Sequence, residues 1–171
     1  DVFLAGNIGL PALDVLPSLK KESIVVLEMS SFQLIDLGIS PHIAVVLMIT
    51  SEHLDWHKDN YEYVSAKENI VKHQTKGDFA VINYNSQTSR NFAKNTKAKT
   101  FFFSKDSRTN GVHVENGRLI SNINKKEVIC PTKEILLPGT HNLENVAAAV
   151  TVAKIQHIEN KNIIKILRTF K

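Results

Sequence analysis

Short apolar runs rich in β-branched residues alternate with longer amphipathic segments along the first hundred residues. Runs of this kind occupy residues 23–27, 43–49 and 78–83. Their unbroken apolar character is typical of strands buried on both faces of a parallel sheet. The segments between them predict helices at 10–21, 31–37, 60–74 and 86–94. The alternation predicts an α/β fold, a mostly parallel sheet with flanking helices, whose functional groups gather at the carboxyl ends of the strands.

A different pattern follows. Residues 100–103, 112–120 and 126–129 predict a small antiparallel section, with Asn116-Gly117 as a two-residue hairpin turn. A helix is predicted from 141 to about 157, and the spacing of residues 163–170 predicts an amphipathic helix. Residues 1–5 predict a buried strand that enters a turn at Gly6. Because the chain has no initiator Met and opens inside a strand, we expect a piece of a longer enzyme.

Composition excludes several classes of protein. The 171 residues are 43% hydrophobic, enough for a packed core, and the longest apolar run is far shorter than the roughly 20 residues of a membrane span. A single cysteine, Cys130, excludes an intramolecular disulfide, so we expect a cytoplasmic protein. Residues 1–89 carry 6 basic and 11 acidic side chains, whereas 90–171 carry 15 and 6. The basic half lacks a recognisable nucleic-acid module, so we expect no nucleic-acid partner.

Polar side chains follow the first two predicted strands. Asn7 lies in a glycine-bounded turn that could present backbone N–H groups to an anion, although the residues alone favour a plain strand-to-helix turn with Pro11 in the first helical turn. Glu28 directly continues an apolar strand, so we expect it to be partly buried and to need a cation. Ser30 or Ser31 could cap the helix that follows.

The densest polar cluster is the segment 50–57, which follows the third predicted strand. Carboxylate oxygens and imidazoles both bind divalent metals, and neighbouring loops of one sheet would bring Glu28 and His53 together. From spacing alone, His53 and His57 are as readily metal ligands as ordinary surface or core histidines. Lys67 reads as a solvent-facing lysine on an amphipathic helix.

Five motifs together resemble, in order and spacing, the central domain of the Mur ligases. The motifs are Gly-Asn-Ile-Gly-Leu-Pro at 6–11, Leu-Glu-Met-Ser-Ser-Phe-Gln-Leu at 27–34, Thr-Ser-Glu-His-Leu-Asp-Trp-His at 50–57, Tyr-Val-Ser-Ala-Lys at 63–67 and Leu-Pro-Gly-Thr-His-Asn-Leu-Glu-Asn at 137–145. The first two motifs resemble the D-glutamate-adding branch of the family. The resemblance covers essentially the whole chain.

The resemblance implies an ATP-dependent ligase of peptidoglycan precursor synthesis. In that reaction ATP activates the carboxylate of UDP-N-acetylmuramoyl-L-alanine as an acyl phosphate, which the amine of D-glutamate attacks. The resemblance assigns catalytic and metal-binding roles to three residues, with Glu28 on one Mg²⁺, His53 on a second, and Lys67 as a carbamylated lysine that helps to hold the second ion.

Six further residues receive binding roles from the same resemblance. Asn7 is similar to an asparagine that contacts the UDP-muramoyl substrate, and Ser30 and Gln33 extend that surface. Asn142 and Asn145 match a pair that meets the adenine, with His141 beside them.

The chain departs from the family pattern in one respect. The glycine-rich phosphate loop, Gly-x-x-Gly-Lys-Thr/Ser, is absent from residues 1–171. The resemblance therefore implies a partial central ATP-binding domain without its phosphate loop and without the amino-terminal UDP-binding and carboxyl-terminal D-glutamate-binding domains. We expect the isolated chain to be inactive, with uncovered apolar surface that favours self-association. Alternatives are a nucleotide-binding module and another Mur ligase or folylpolyglutamate synthase relative.

Overall fold

The computed structural model describes residues 1–50 and 57–171. Eight strands lie in this part of the chain: β1 (Val2–Gly6), β2 (Ile24–Glu28), β3 (Ile43–Val46), β4 (Phe79–Asn83), β5 (Lys99–Phe103), β6 (Val112–Glu115), β7 (Arg118–Ser121) and β8 (Glu127–Pro131). The predicted strands 23–27, 43–49 and 78–83 are confirmed as β2, β3 and β4, with β3 ending earlier than the apolar run does.

Six α-helices connect or flank these strands. They are α1 (Ala12–Val15), α2 (Ser31–Leu34), α3 (Asn60–Lys72), α4 (Gln87–Asn91), α5 (Thr140–Ile155) and α6 (Asn160–Leu167). Helix α1 is much shorter than the predicted 10–21 and passes into a 3₁₀ turn, Leu16–Ser18. Pro17 lies in that turn and supplies no N–H to continue a helix. No helix of the described residues is long and apolar enough to cross a membrane.

The strands form three separate sheets. Strands β1 and β2 pair in parallel, β3, β4 and β5 form a second parallel sheet in that order, and β6, β7 and β8 form an antiparallel sheet. The α/β class and the antiparallel section are confirmed. Placing residues 100–103 in that section was wrong, because β5 pairs in parallel with β4 through the crossover made by α4.

The turn between β6 and β7 has the predicted geometry. Asn116 and Gly117 have φ angles of +50° and +67°, the left-handed pair that a two-residue type I′ hairpin requires. Asparagine and glycine tolerate this conformation better than other residues, so the local sequence fixes the pairing of Glu115 with Arg118.

Strand β4 lies at the centre of the core. Its side chains alternate between two apolar clusters, as the period of a strand requires. Val81 packs with α5, α6 and the antiparallel sheet, whereas Ala80 and Ile82 pack with Val71 of α3 and with Phe92. This strand is buried on both faces, as its sequence predicts.

One face of the β1–β2 sheet is exposed, so the predicted burial of the first strand was wrong for that face. Val2 and Leu4 are 69% and 55% exposed, and Ile24 and Val26 of β2 are also exposed, whereas Ala5 on the opposite face is fully buried. Among the described residues the sheet has no third strand, and no layer covers the exposed face. The apolar side chains therefore face outward, because burial depends on what packs against a strand as well as on its composition.

His113 of β6 is fully buried, and neither of its ring nitrogens has a hydrogen-bond partner among the described residues. We expect His113→Leu to raise the free energy of unfolding by about 1–2 kcal/mol, because the change removes an unpaired buried polar group. Equilibrium unfolding in denaturant measures the change. His73→Leu, at an exposed histidine, is the control and should change the free energy by less than about 0.5 kcal/mol.

Wild type and His113→Leu should also differ in how their free energies of unfolding depend on pH. Burial lowers the pKa of His113 in the folded chain, so the unfolded chain takes up this proton first as the pH falls below about 6.5. Above that pH His113 is neutral in both states and leaves the free energy of unfolding independent of pH, and on the acid side the proton uptake by the unfolded chain lowers it. Wild type should therefore lose more stability than His113→Leu on acidification, and parallel curves would contradict the prediction.

Candidate functional site

The turn after β1 is fastened to the end of β2. The backbone N–H of Asn7 donates to the Glu28 carbonyl over 2.9 Å, and Gly6 donates to the Leu10 carbonyl over 2.9 Å. Gly6 has a φ of +109°, and a Cβ there would overlap the Glu28 carbonyl oxygen. Only glycine fits such a position. The fold therefore brings together the backbones of two predicted site residues, Asn7 and Glu28.

Glu28 is exposed, and the expectation that it is partly buried was wrong. Glu28 is the last residue of β2, which pairs only with β1 among the described residues. Among the described residues, strands β2 and β3 belong to different sheets, so they are not neighbours in one sheet as the sequence predicted. The solvent-facing carboxylate is free of the desolvation that burial would impose.

Ser30 and Gln33 form the capping box of α2. The Ser30 hydroxyl accepts from the Gln33 N–H, and the Gln33 side-chain oxygen accepts from the Ser30 N–H over 2.9 Å. The capping alternative is thus confirmed for Ser30. The cap also holds both side chains at the start of the helix, two residues beyond Glu28.

Lys67 is not the fully solvent-facing lysine that its local sequence predicts. Its side chain is half-buried, and its Nζ lies 5.1 Å from the ring centroid of Tyr63, one turn earlier on α3. Tyr63 is buried and contacts the imidazole of His57. Lys67 therefore lies on the helix face that packs toward the end of the 50–57 motif. His53 lies outside the described residues, so its predicted nearness to Lys67 stays a prediction.

Asn142 and Asn145 meet in the first turns of α5. The Asn145 amide donates to the Asn142 side-chain oxygen over 3.1 Å, and the Asn142 amide donates to the Pro138 carbonyl over 2.6 Å. Gly139, with a φ of +92°, precedes the helix, and a Cβ at this glycine would lie 2.7 Å from the His141 ring. The structure brings all three predicted nucleotide-binding residues to one helix terminus.

A buried charge lies between the two asparagines in sequence. The Glu144 side chain is 7% exposed, and its two oxygens contact Lys105 Nζ at 2.7 Å and the Asn83 amide at 2.9 Å. The bond to Glu144 raises the pKa of Lys105. Asn83 ends β4 and Lys105 follows β5, so this network fastens the start of α5 to the carboxyl ends of two parallel strands.

The sequence reasoning missed the network of Asn83, Lys105 and Glu144 and left the place of His57 open. One signal was available for Glu144. Residues 144, 147, 148 and 151 follow the period of a helix face and are all buried, so an apolar stripe in the sequence already included this glutamate. His57 carried no such signal, because its burial depends on rings from α2 and α3.

The described residues hold no group of three or more His, Cys, Asp or Glu side chains that could bind a metal. Such a preformed cluster is not needed for magnesium, which usually keeps several waters and binds through one or two carboxylates and the phosphates of a substrate. The exposed Glu28 carboxylate at a strand end fits that pattern.

Comparisons with known proteins agree on one family. The model of the Mur ligase middle domain matches residues 5–153. The UDP-N-acetylmuramoylalanine--D-glutamate ligase of Listeria monocytogenes is 45% identical over 171 residues, which cover 99% of this chain and 37% of the relative. The chain thus spans little more than a third of the length of this curated relative.

Solved structures share the fold at low sequence identity. A crystal structure of MurF from Acinetobacter baumannii superposes with a TM-score of 0.70 at 16% identity, over 99% of this chain and 46% of that one. MurF from Thermotoga maritima in complex with ADP gives a TM-score of 0.64 at 19% identity, over 99% and 48% of the two chains.

Proposed function

The chain belongs to the Mur ligase family, and from that premise we propose that it is the central ATP-binding part of a UDP-N-acetylmuramoylalanine--D-glutamate ligase. The observation that carries this choice of substrate is the 45% identity with ligases of that name over nearly the whole chain. The complete protein then acts in the cytoplasm on UDP-N-acetylmuramoyl-L-alanine, D-glutamate and ATP in peptidoglycan precursor synthesis.

The proposed reaction proceeds in two steps. The alanyl carboxylate of the UDP-linked substrate attacks the γ-phosphorus of ATP, which forms an acyl phosphate and releases ADP. The amine of D-glutamate then attacks the acyl carbon, loses a proton, and displaces inorganic phosphate to leave an amide. Positioning and charge stabilisation dominate phosphoryl transfer, so the residues of this chain act by holding the reactants.

The adenine side of ATP is assigned to the start of α5. Asn142 and Asn145 orient each other through their mutual hydrogen bond, so the amide groups that remain available are fixed before the base arrives. His141 flanks them, and the Glu144–Lys105 pair fastens this turn to the sheet.

The phosphate side is assigned to Glu28, His53 and Lys67, with Asn7, Ser30 and Gln33 on the UDP-muramoyl substrate. Bound Mg²⁺ would neutralise the charge that develops on the transferred phosphoryl group. Glu28 would hold one ion and His53 the second, and Lys67 would join His53 as a carbamate, which replaces a cation that repels magnesium with an anion that attracts it.

The remaining parts of the ligase are assigned to segments outside these 171 residues. The phosphate-loop motif is absent from the sequence given, and the chain covers 37% of the Listeria relative. We therefore propose that the complete protein supplies that loop together with the UDP-binding and D-glutamate-binding domains. The exposed apolar side chains of β1 and β2 favour self-association of the isolated chain.

An ADP-release assay tests the proposed function. The complete protein should convert ATP to ADP continuously only when ATP, Mg²⁺, UDP-N-acetylmuramoyl-L-alanine and D-glutamate are all present. The 171-residue chain should form no ADP, because its sequence lacks the phosphate-loop motif that would cradle the β- and γ-phosphates. Continuous ADP formation without D-glutamate, beyond the one equivalent released with the acyl phosphate, would indicate an ATPase, and ADP bound without turnover would indicate a nucleotide-binding module.

The nucleotide site has its own test in the isolated chain. We expect ADP to raise the melting temperature of the chain slightly, and we expect Asn142→Ala or Asn145→Ala to abolish that shift, because each change removes an amide proposed to meet the base. Thermal unfolding with and without ADP measures the effect. Asn91→Ala, on α4, is the matched control and should keep the shift; a shift retained in both site variants would contradict the assignment.

A further inference from the structure

His57 lies in the contact between α2 and α3. Its side chain is completely buried, and it is the last residue of the motif at 50–57, which carries His53. The exposed carboxylate of Glu28 and the capping box of Ser30 and Gln33 lie on the α2 side, and Lys67 lies on the α3 side. A single buried imidazole thus stands between two groups of proposed site residues.

On the α2 side, His57 makes a polar and a stacked contact. Its Nε2 shares a hydrogen bond of 2.9 Å with the hydroxyl of Ser31, which is itself buried. Its ring stacks on Phe32 with centroids 5.6 Å apart and planes inclined by 2°. These two neighbours are the first residues of α2, so the contacts fix the end of the helix that holds Ser30.

On the α3 side, the contact runs through Tyr63 to Lys67. The His57 and Tyr63 rings meet edge to face with centroids 5.4 Å apart, and His57 Nδ1 lies 3.5 Å from a carboxylate oxygen of Glu62. Tyr63 in turn lies beneath the Lys67 ammonium at 5.1 Å. The ring of His57 therefore supports the surface on which the Lys67 side chain rests.

The contact between α2 and α3 is important because of how the strands are arranged. Strands β2 and β3 do not pair among the described residues, and α2, which begins three residues after β2, packs on α3. This contact therefore helps to hold the β1–β2 sheet against the rest of the molecule. The far end of α2 has a separate anchor, because the Asn69 amide donates to the Leu34 and Ile35 carbonyls, each over 2.9 Å. Loss of His57 would release only the end of α2 that faces the proposed site.

We infer that His57 is a positioning residue that holds the Ser30 end of α2 and the Lys67 face of α3 in fixed relation. The inference rests on the proposed function for its catalytic consequence but not for its structural one. Buried groups that orient metal-binding or catalytic side chains typically change affinity or activity about 10- to 100-fold when they are removed.

Two substitutions of His57 test its hydrogen bond and its ring contacts separately. His57→Phe keeps a ring for Phe32 and Tyr63 but removes the hydrogen bond to Ser31, whereas His57→Gln keeps a polar partner for Ser31 but removes the ring. In the complete protein, we expect His57→Phe to raise the KM for the UDP-linked substrate about tenfold with little change in kcat. We expect His57→Gln to lower kcat and raise the Mg²⁺ requirement about 10- to 100-fold.

A double variant distinguishes a loss of positioning from a simple loss of stability. His57→Phe leaves the buried Ser31 hydroxyl without its partner, and Ser31→Ala in the same protein removes that hydroxyl. The double variant should recover the melting temperature but not the KM. Recovery of both the melting temperature and the KM would show a merely structural role and overturn the inference. Equal changes in kcat and in KM for His57→Phe and His57→Gln would overturn it in the same way.

The isolated chain gives a readout that needs no ligase activity. Brief acetylation followed by mass spectrometry compares Lys67 with Lys72, an exposed lysine on the same helix. His57→Gln should raise labelling of Lys67 relative to Lys72, because the ring that supports Tyr63 beneath the Lys67 ammonium is lost, and His73→Gln, at an exposed histidine, should leave the ratio unchanged. An unchanged ratio in His57→Gln overturns the inference, whereas an inactive wild-type complete protein with the expected labelling overturns only the proposed function.

Discussion

The complete protein carrying Lys67→Ala is expected to lose ligase activity by about 100-fold or more, with partial recovery on addition of acetate or another short carboxylic acid. The physical reason is that a carbamylated Lys67 would present a carboxylate at a magnesium site, and the alanine variant leaves space that a free carboxylate can enter. The assay measures D-glutamate-dependent ADP formation at saturating substrates.

The matched control for this prediction is Lys72→Ala. Lys72 lies in the last turn of the same helix and is exposed, so its removal tests the loss of a positive charge on α3 without touching the proposed site. A Lys67→Ala enzyme as active as Lys72→Ala, or one whose loss is unaffected by carboxylic acids, would contradict the assignment of Lys67.

Lys105→Ala is expected to lower the free energy of unfolding by about 2–3 kcal/mol. Removal of one partner leaves Glu144 as a buried carboxylate held only by Asn83, and a fully buried pair would lose roughly 3–5 kcal/mol. Partial exposure of Lys105 reduces the figure. For a chain of this size the melting temperature should fall by about 5–10 °C.

The exposed Lys126–Glu115 pair provides the control. Its side chains are 49% and 36% exposed, and Lys126→Ala should change the free energy of unfolding much less than Lys105→Ala does, because solvent screens an exposed pair. Glu144→Gln keeps the hydrogen-bonding shape without the charge. Combined with Lys105→Ala in a double variant, it should suppress most of the stability loss that Lys105→Ala causes. Equal losses in Lys105→Ala and Lys126→Ala would show that Glu144 is not a buried charge in solution.

The order of the elements could be predicted from the sequence because it depends on local patterns. Runs such as 78–83 combine β-branched composition with short length, and Asn116-Gly117 can adopt the angles of a tight hairpin turn. The pairing of β5 could not be predicted in this way. Its residues predict a strand but do not indicate whether it pairs in parallel or antiparallel. The crossover through α4 makes it the parallel neighbour of β4.

Burial of the site could not be predicted for a related reason. Glu28 follows an apolar strand, which suggested a buried carboxylate, but exposure is decided by the layers that cover a sheet. The face of the β1–β2 sheet that carries Ile24, Val26 and Glu28 has no such cover among the described residues. His57 shows the converse. A polar residue in a polar motif is fully buried because Phe32 and Tyr63, distant in sequence, close around it.

The predicted site residues came from motifs, and the fold brings some of them together. Asn7 and Glu28 meet through backbone hydrogen bonding, and Asn142 and Asn145 meet on α5. Glu144 lies within the motif at 137–145, but Lys105 lies in none of the five motifs, and their ion pair was not predicted. It depends on α5 packing across the ends of β4 and β5, and spacing within one segment carries no information about that contact.

The acceptor specificity of the complete protein tests the central claim most directly. The protein is incubated with ATP, Mg²⁺, UDP-N-acetylmuramoyl-L-alanine and an equimolar mixture of D-glutamate, L-glutamate, L-lysine and D-alanyl-D-alanine, and the products are identified by mass spectrometry and chiral analysis. We predict a single amide product that contains D-glutamate, with one ADP released per amide formed. A product containing L-lysine or D-alanyl-D-alanine, or ADP release without any amide, would contradict the assignment.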